Sequence, residues 1–268
     1  MQLSSDSSFH LAAVKSEVLS MDVDVDNNVE SCYRLRIGDQ IKYISVDPGT
    51  FHEDILTFPP DLIDHLPKLP SGDWTHARIC RKSDLLFVET SNKPLKGVTT
   101  CWHHNLVDVQ SLAFEERLST RVHVVKYNSK SVISKIARFE FEVPWVQTET
   151  AIYQAIDGHG IGPAFLGHLV EHGRVMGFLI EKIDGGNGEI GDLEACESVV
   201  KRLHSLGIVH GDLNKYNFIV GPTRTTLVDF EAAIKNGSKE AMQKEFACLT
   251  EQLTEETGRG GPPMPCTP

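Results

Sequence analysis

The apolar positions of the chain change period several times, and the changes divide it into segments. From Tyr33 the pattern is strand-like: Leu35, Ile37, Ile41, Tyr43, Ile44 and Val46 bracket Gly38-Asp39, a hairpin signature. A Pro-rich connector follows around Pro59, Pro60, Pro67 and Pro70, and further strands are expected over 85–89 and 98–102, separated by the turn Ser91–Gly97. The stretch Arg121–Tyr127 alternates cleanly, with Val122, Val124 and Lys126 on one face and His123, Val125 and Tyr127 on the other. A lysine among valines is ordinarily a snorkelling surface residue. Its meaning changes if the next element supplies an acid. Pro144 suits the first turn of a helix running to Ile156, in which Trp145, Glu149, Ile152 and Ile156 recur on one stripe. Glu149 is the only acid on that stripe, and a carboxylate facing a core needs a cation or donors, because burying it unpaired is costly.

After Gly158, Gly160 and Gly162-Pro163, a second hairpin is expected over 166–170 and 175–183 around His172-Gly173-Arg174, ending in the glycine-rich break Asp184–Gly188. Asp192 caps a helix carrying Leu193, Cys196, Val200 and Leu203, which Gly207 closes. A last amphipathic helix carries Met242, Phe246, Leu249 and Leu253. Strands with one helix, then a glycine-rich break, then helices predict an α+β chain in two lobes. The expected organisation is a flexible 1–30, a β-rich 31–183, a smaller 184–256 and a loose tail 257–268.

Composition narrows the function classes. Twenty-six basic against 37 acidic residues give a net charge of −11, which excludes a large footprint for nucleic acid or anionic membrane. No run of 18 apolar residues suggests a membrane span. The first thirty residues, with Ser4, Ser5, Ser7 and Ser8 ahead of Asp22, Asp24 and Asp26, have no signal-peptide pattern, so the expected location is intracellular, cytoplasmic or nuclear. The six cysteines contain no C-x-x-C pair and read as reduced structural thiols. His103-His104 beside Trp102 reads as surface or core histidine rather than a metal pair, since adjacent strand positions face opposite sides.

The chemistry is concentrated in Ile208–Val220 and Thr226–Glu231. Two short apolar strands flank a polar loop bearing Asp212 and Asn217, and the second strand delivers Asp229. Phosphoryl transfer needs such a set: a carboxylate that orients the attacking hydroxyl, and two oxygen-donor side chains that hold Mg²⁺.

This text resembles the protein-kinase-like superfamily. His210-Gly211-Asp212 with Asn217 stands where that superfamily has its catalytic loop, and Asp229-Phe230-Glu231 stands where it has D-F-G. The resemblance runs from about Arg121 to Gly261. It is nearest to the RIO-type atypical kinases, the KEOPS-type kinases and a set of short fungal kinase-like proteins, some ending in a similar Gly-Arg-Gly-Gly-Pro. It implies a kinase-like fold with a shortened C-terminal lobe and use of ATP and Mg²⁺. Asp212 becomes the catalytic base, Asn217 and Asp229 the Mg²⁺ ligands, Lys126 the strand lysine on the phosphates and Glu149 its positioning partner. Lys215 is a second catalytic candidate, because a basic residue there meets the transferred phosphate in some relatives. His210 reads as a structural hydrogen-bonder.

Two departures stand out. Gly211 replaces the arginine through which typical kinases sense a phosphorylated activation loop, and no G-x-G-x-x-G precedes Lys126. The turn over the phosphates is then Ser91–Gly97 or part of Glu115–Thr120. The implied activity is transfer of the γ-phosphate to a hydroxyl, foremost Ser or Thr of a protein. Aminoglycoside and choline phosphotransferases share His-Gly-Asp, so a small-molecule acceptor is the alternative; a catalytically weak kinase-like binding module is a further one.

Overall fold

The computed structural model describes residues 15–261; Ser4–Ser8, Cys266 and the end of the Gly/Pro-rich tail lie outside them. The chain forms two compact units, divided between Leu95 and Lys96.

In the first unit, β1 (Ser16–Asp22), β2 (Ser31–Ile37), β3 (Gln40–Val46), β4 (His76–Lys82) and β5 (Leu85–Ser91) form one sheet in that order. Neighbours are antiparallel except β3 and β4, which run parallel with two short helices, α1 (Glu53–Thr57) and α2 (Pro59–His65), in the connection. Part of the Pro-rich connector is therefore helical. Pro59 and Pro60 occupy the first turn of α2, where a missing N–H is no loss. Tyr33, Leu35, Ile44, Val46, Leu56, Leu62 and Ile79 fill this unit's core, and β1 begins within the first thirty residues.

In the second unit, β6 (Leu106–Asp108), β7 (Ala113–Arg117), β8 (Val122–Tyr127), β9 (Lys130–Ile136), β10 (Phe165–Glu171) and β11 (Arg174–Glu181) build a six-stranded sheet ordered β6-β10-β11-β9-β8-β7. The helix α3 (Val143–Ile156) sets Ile152, Tyr153 and Ile156 into a core shared with Phe165 and Phe178 of the sheet. Its buried stripe runs through Val143 and Val146 rather than Trp145, which is 46% exposed. The segment 98–102 is not a strand: Val98 N–H donates to the Val175 carbonyl, and the N–H groups of Trp102 and His103 donate to Nε2 of buried His168. His103 and His104 consequently stack, with ring centres 4.5 Å apart, instead of facing opposite sides.

Beyond the sheet come β12 (Gly186–Asn187), α4 (Leu193–Ser205), β13 (Ile208–Val209), β14 (Phe218–Val220), β15 (Thr225–Leu227), β16 (Ile234–Lys235), α5 (Lys239–Ala247) and α6 (Leu249–Thr254). Cys196, Val199, Val200 and Leu203 of α4 meet Phe218, Leu227, Leu249 and Leu253 in a core continuous with that of α3. The last predicted helix is two helices, because the chain turns at Cys248, whose N–H caps α5 through the Lys244 and Glu245 carbonyls. The fold class is mixed α+β. Among the described residues no helix is long and apolar enough to cross a membrane.

Candidate active site

The site begins with the hairpin of β8 and β9. Asn128 and Ser129 both have positive φ, 49° and 64°, as a two-residue type I′ turn requires, and they pair Tyr127 with Lys130. That register sets Lys126 opposite Ser131 and Val122 opposite Lys135. Residues opposite one another share a face. Lys126 and Lys135 therefore lie on one face with Val122, Val124 and Ile133, at opposite ends, about 13 Å apart along the strands.

Lys126 stands at the turn end, half-exposed, its ammonium 3.0 Å from Glu115. The expected pairing of Lys126 with Glu149 is thereby corrected. Lys135 is the lysine the helix meets: its buried Nζ lies 2.7 Å from Glu149, 2.7 Å from Asp229 and 2.8 Å from Glu231. The face was right in sequence and the end of the strand pair was not.

Glu149 is buried on α3 and also accepts the Phe230 N–H at 3.2 Å. Burial, with Asp229 and Glu231 adding to it against the pull of Lys135, raises its carboxyl to about 7. Asp229 behaves oppositely: burial raises it, but Lys135 outweighs burial and holds the carboxyl below the usual range. Its backbone sits at φ +65°, a left-handed conformation that costs free energy for a residue with a Cβ and that Asp tolerates better than most. Lys135 stays above the ordinary lysine range because its three carboxylates overcome its burial.

The loop that carries Asp212 is fixed by α5. Glu245 accepts the N–H groups of His210 at 3.1 Å and Gly211 at 2.7 Å, and pairs with His204 at 2.7 Å. Nothing in the local spacing marks Glu245. His210 is buried, with Nε2 donating to the Val228 carbonyl at 3.0 Å, which ties the loop to the segment before Asp229. Gly211 is required twice over: its φ is +85°, and a Cβ there would lie 2.3 Å from the Ala232 carbonyl oxygen. Asp212 is half-exposed, with Arg259 3.7 Å from its Oδ1. Asn217 donates its amide N–H to the Asp212 carbonyl at 2.8 Å, so its oxygen is the atom it can offer elsewhere. Lys215 is engaged on another side, donating to the Glu255 carbonyl at 2.5 Å.

Lys135, Glu149, Asn217 and Asp229 line one cavity of about 340 Å³, within the usual range of small-molecule sites. Leu118 and Ser119, in the turn between β7 and β8, form part of its wall, so of the two candidate turns it is the one within Glu115–Thr120 that lies at the cavity. Around Lys135 and Arg121 stand three carboxylates, Glu149, Asp229 and Glu231, whose oxygens lie within 4.8 Å of one another. An acid in excess of the cations, an aspartate and an amide oxygen suit a hard divalent cation such as Mg²⁺.

Comparison with curated proteins finds no match. A family match runs from within β10 to just beyond α6, including Asp212, Asn217 and Asp229 but not Lys135 or Glu149. Residues 169–256 match the family model of the RIO domain, which marks an atypical kinase family within the protein-kinase-like superfamily.

Proposed function

We propose that the chain is an ATP- and Mg²⁺-dependent phosphotransferase, foremost an atypical serine/threonine protein kinase. The observation that carries this reading is the convergence of Lys135, Glu149 and Asp229, from three separate elements, on contacts of 2.7 Å in a cavity also lined by Asn217. A RIO domain supports the coarser statement, a kinase-like phosphotransferase.

In this reading Lys135 binds the α- and β-phosphates and Glu149 holds its ammonium in place. Asn217 and Asp229 ligate the metal, which when bound neutralises charge on the transferred phosphoryl group. Asp212 orients the acceptor hydroxyl and takes its proton. Lys215 meets a phosphate only on leaving the Glu255 carbonyl, which gives the principal phosphate contact to Lys135 rather than to the loop. The sheet with α3 corresponds to one lobe of a kinase, and α4 to α6 to a shortened second lobe.

The test is transfer of labelled γ-phosphate to the chain itself and to a generic Ser/Thr-rich protein such as casein, with Mg²⁺. Transfer is expected from the wild type and not from Asp212→Ala; transfer surviving that change overturns the assignment. The binding-module reading has one observation in its favour: Lys135 is already enclosed by three carboxylates. A Mg-ATP thermal shift that disappears in Asp229→Asn, with no transfer by the wild type, decides for the module.

A further inference from the structure

Arg121 stands beside Leu118 and Ser119 of the cavity wall, and the motif gives it no part. It closes the turn Leu118–Arg121 and grips Glu231 with both prongs, one nitrogen 2.6 Å from Oε1 and the other 2.8 Å from Oε2. Both side chains are about one-fifth exposed, 20% and 19%, so this pair is shielded from the screening that makes surface ion pairs weak. The guanidinium also lies 5.1 Å from the centre of the Trp145 ring on α3, and the Arg121 carbonyl accepts the Ile136 N–H at 3.1 Å. One residue thus joins the cavity turn, the strand that carries Lys135, the helix that carries Glu149 and the segment that carries Asp229.

The contact matters because Glu231 has a second suitor. Its Oε1 lies 2.8 Å from Lys135. A lysine enclosed by three carboxylates is poorly available to phosphate oxygens, which must compete with all of them. Glu149 is fixed by burial and by the Phe230 N–H, and Asp229 has a role at the metal in the reading above. Glu231 is the acid left over, standing where a glycine is usual.

We propose that Arg121 is a positioning residue that shares Glu231 with Lys135 and so weakens the hold of that carboxylate on the lysine, letting Lys135 yield to phosphate. The proposal rests on the nucleotide-site reading and predicts a suppressor. With Arg121→Met, Glu231 binds Lys135 undivided, and Mg-ATP binding weakens by at least about tenfold, the effect of losing one charge-assisted contact. Adding Glu231→Gln removes the competitor and restores binding to within about threefold of wild type.

The experiment is calorimetric titration of the full chain with Mg-ATP, alongside thermal melting without nucleotide. If Arg121 were only a structural clasp, removing both partners would rescue nothing, so a double variant as weak as Arg121→Met overturns the proposal. Wild-type affinity in Arg121→Met overturns it too. A second readout needs no nucleotide: the rate at which acetic anhydride acetylates Lys135, followed by mass spectrometry, should fall in Arg121→Met and recover in the double variant. Equal rates in all three proteins reject the proposal. A wild type that binds no Mg-ATP rejects the nucleotide reading instead, and the acetylation rates still judge whether Arg121 weakens the hold of Glu231 on Lys135. Where Arg121→Met melts without a cooperative transition, Arg121→Lys, which keeps the charge and loses the two-pronged grip, is read in the same two assays.

Discussion

Lys126 and Lys135 stand on neighbouring strands, on one face of one sheet, and they have little else in common. Lys126 sits half-exposed at the hairpin turn with Glu115 and Ser131 for partners; Lys135 is buried at the far end among three acids. The same ammonium is a solvated surface charge in one place and the centre of a charge network in the other. The difference arises from what the neighbouring elements deliver: α3 brings Glu149 and the chain after β15 brings Asp229 and Glu231, all to the end of β9 and none to the end of β8.

The largest test of that contrast is to remove each lysine. Lys135→Met leaves buried Glu149 without its cation, and stability in urea is expected to fall by about 3 to 5 kcal/mol, with phosphate transfer down by at least about 100-fold. Lys126→Met is expected to leave both where they are, as befits an exposed pair. Equal losses from the two changes would break the comparison.

A buried titratable group without carboxylates around it must give up its charge, and His168 does so. It is fully buried, and its Nε2 accepts the N–H groups of Trp102 and His103 at 3.1 Å each, which requires that nitrogen to be unprotonated. Burial, with His103 adding to it, lowers its pKa from 6.5 to about 4. The unfolded chain therefore takes up the proton first. The contribution of the neutral ring is complete above pH 6.5 and is lost as pH falls toward 4, with a slope of at most about 1.4 kcal/mol per pH unit. Urea midpoints measured across that window should decline, and His168→Gln should flatten the decline. An unchanged slope in that variant would show that other groups carry it.

The smallest effect concerns the turn that sets the register. Ser129 holds φ +64° with a Cβ, and Ser129→Gly is expected to raise stability by about 0.5 kcal/mol while leaving the position of Lys135 unchanged. A loss of stability would mean that the serine makes a contact worth more than the strain.

These cases also mark how far sequence carries. Asp212, Asn217 and Asp229 can be read from local spacing, since one loop and the segment just after one strand hold all three. Glu149 can be read as well, being an acid on an otherwise apolar helix stripe. Lys135 was missed because Asn128-Ser129 is not the usual Asn-Gly turn signal. Counting pairs outward from that turn would have set Lys135 opposite Val122. The helices of the first unit were hidden by Pro59-Pro60, which reads as a breaker and serves as a helix start. Glu245 and Arg121 act across 34 and 110 residues of chain, and no local pattern announces such partners.

Gly211 has a consequence for how such a chain can evolve. The Ala232 carbonyl occupies the space where any side chain at 211 would begin, and Ala232 follows directly on the segment that carries Asp229. A single substitution that installed an arginine there would push against the segment that holds Asp229 instead of adding a sensor for phosphorylation. Control through that position is closed to one-step change: the backbone around residue 232 has to be rebuilt first, and intermediates on the way would carry a displaced Asp229.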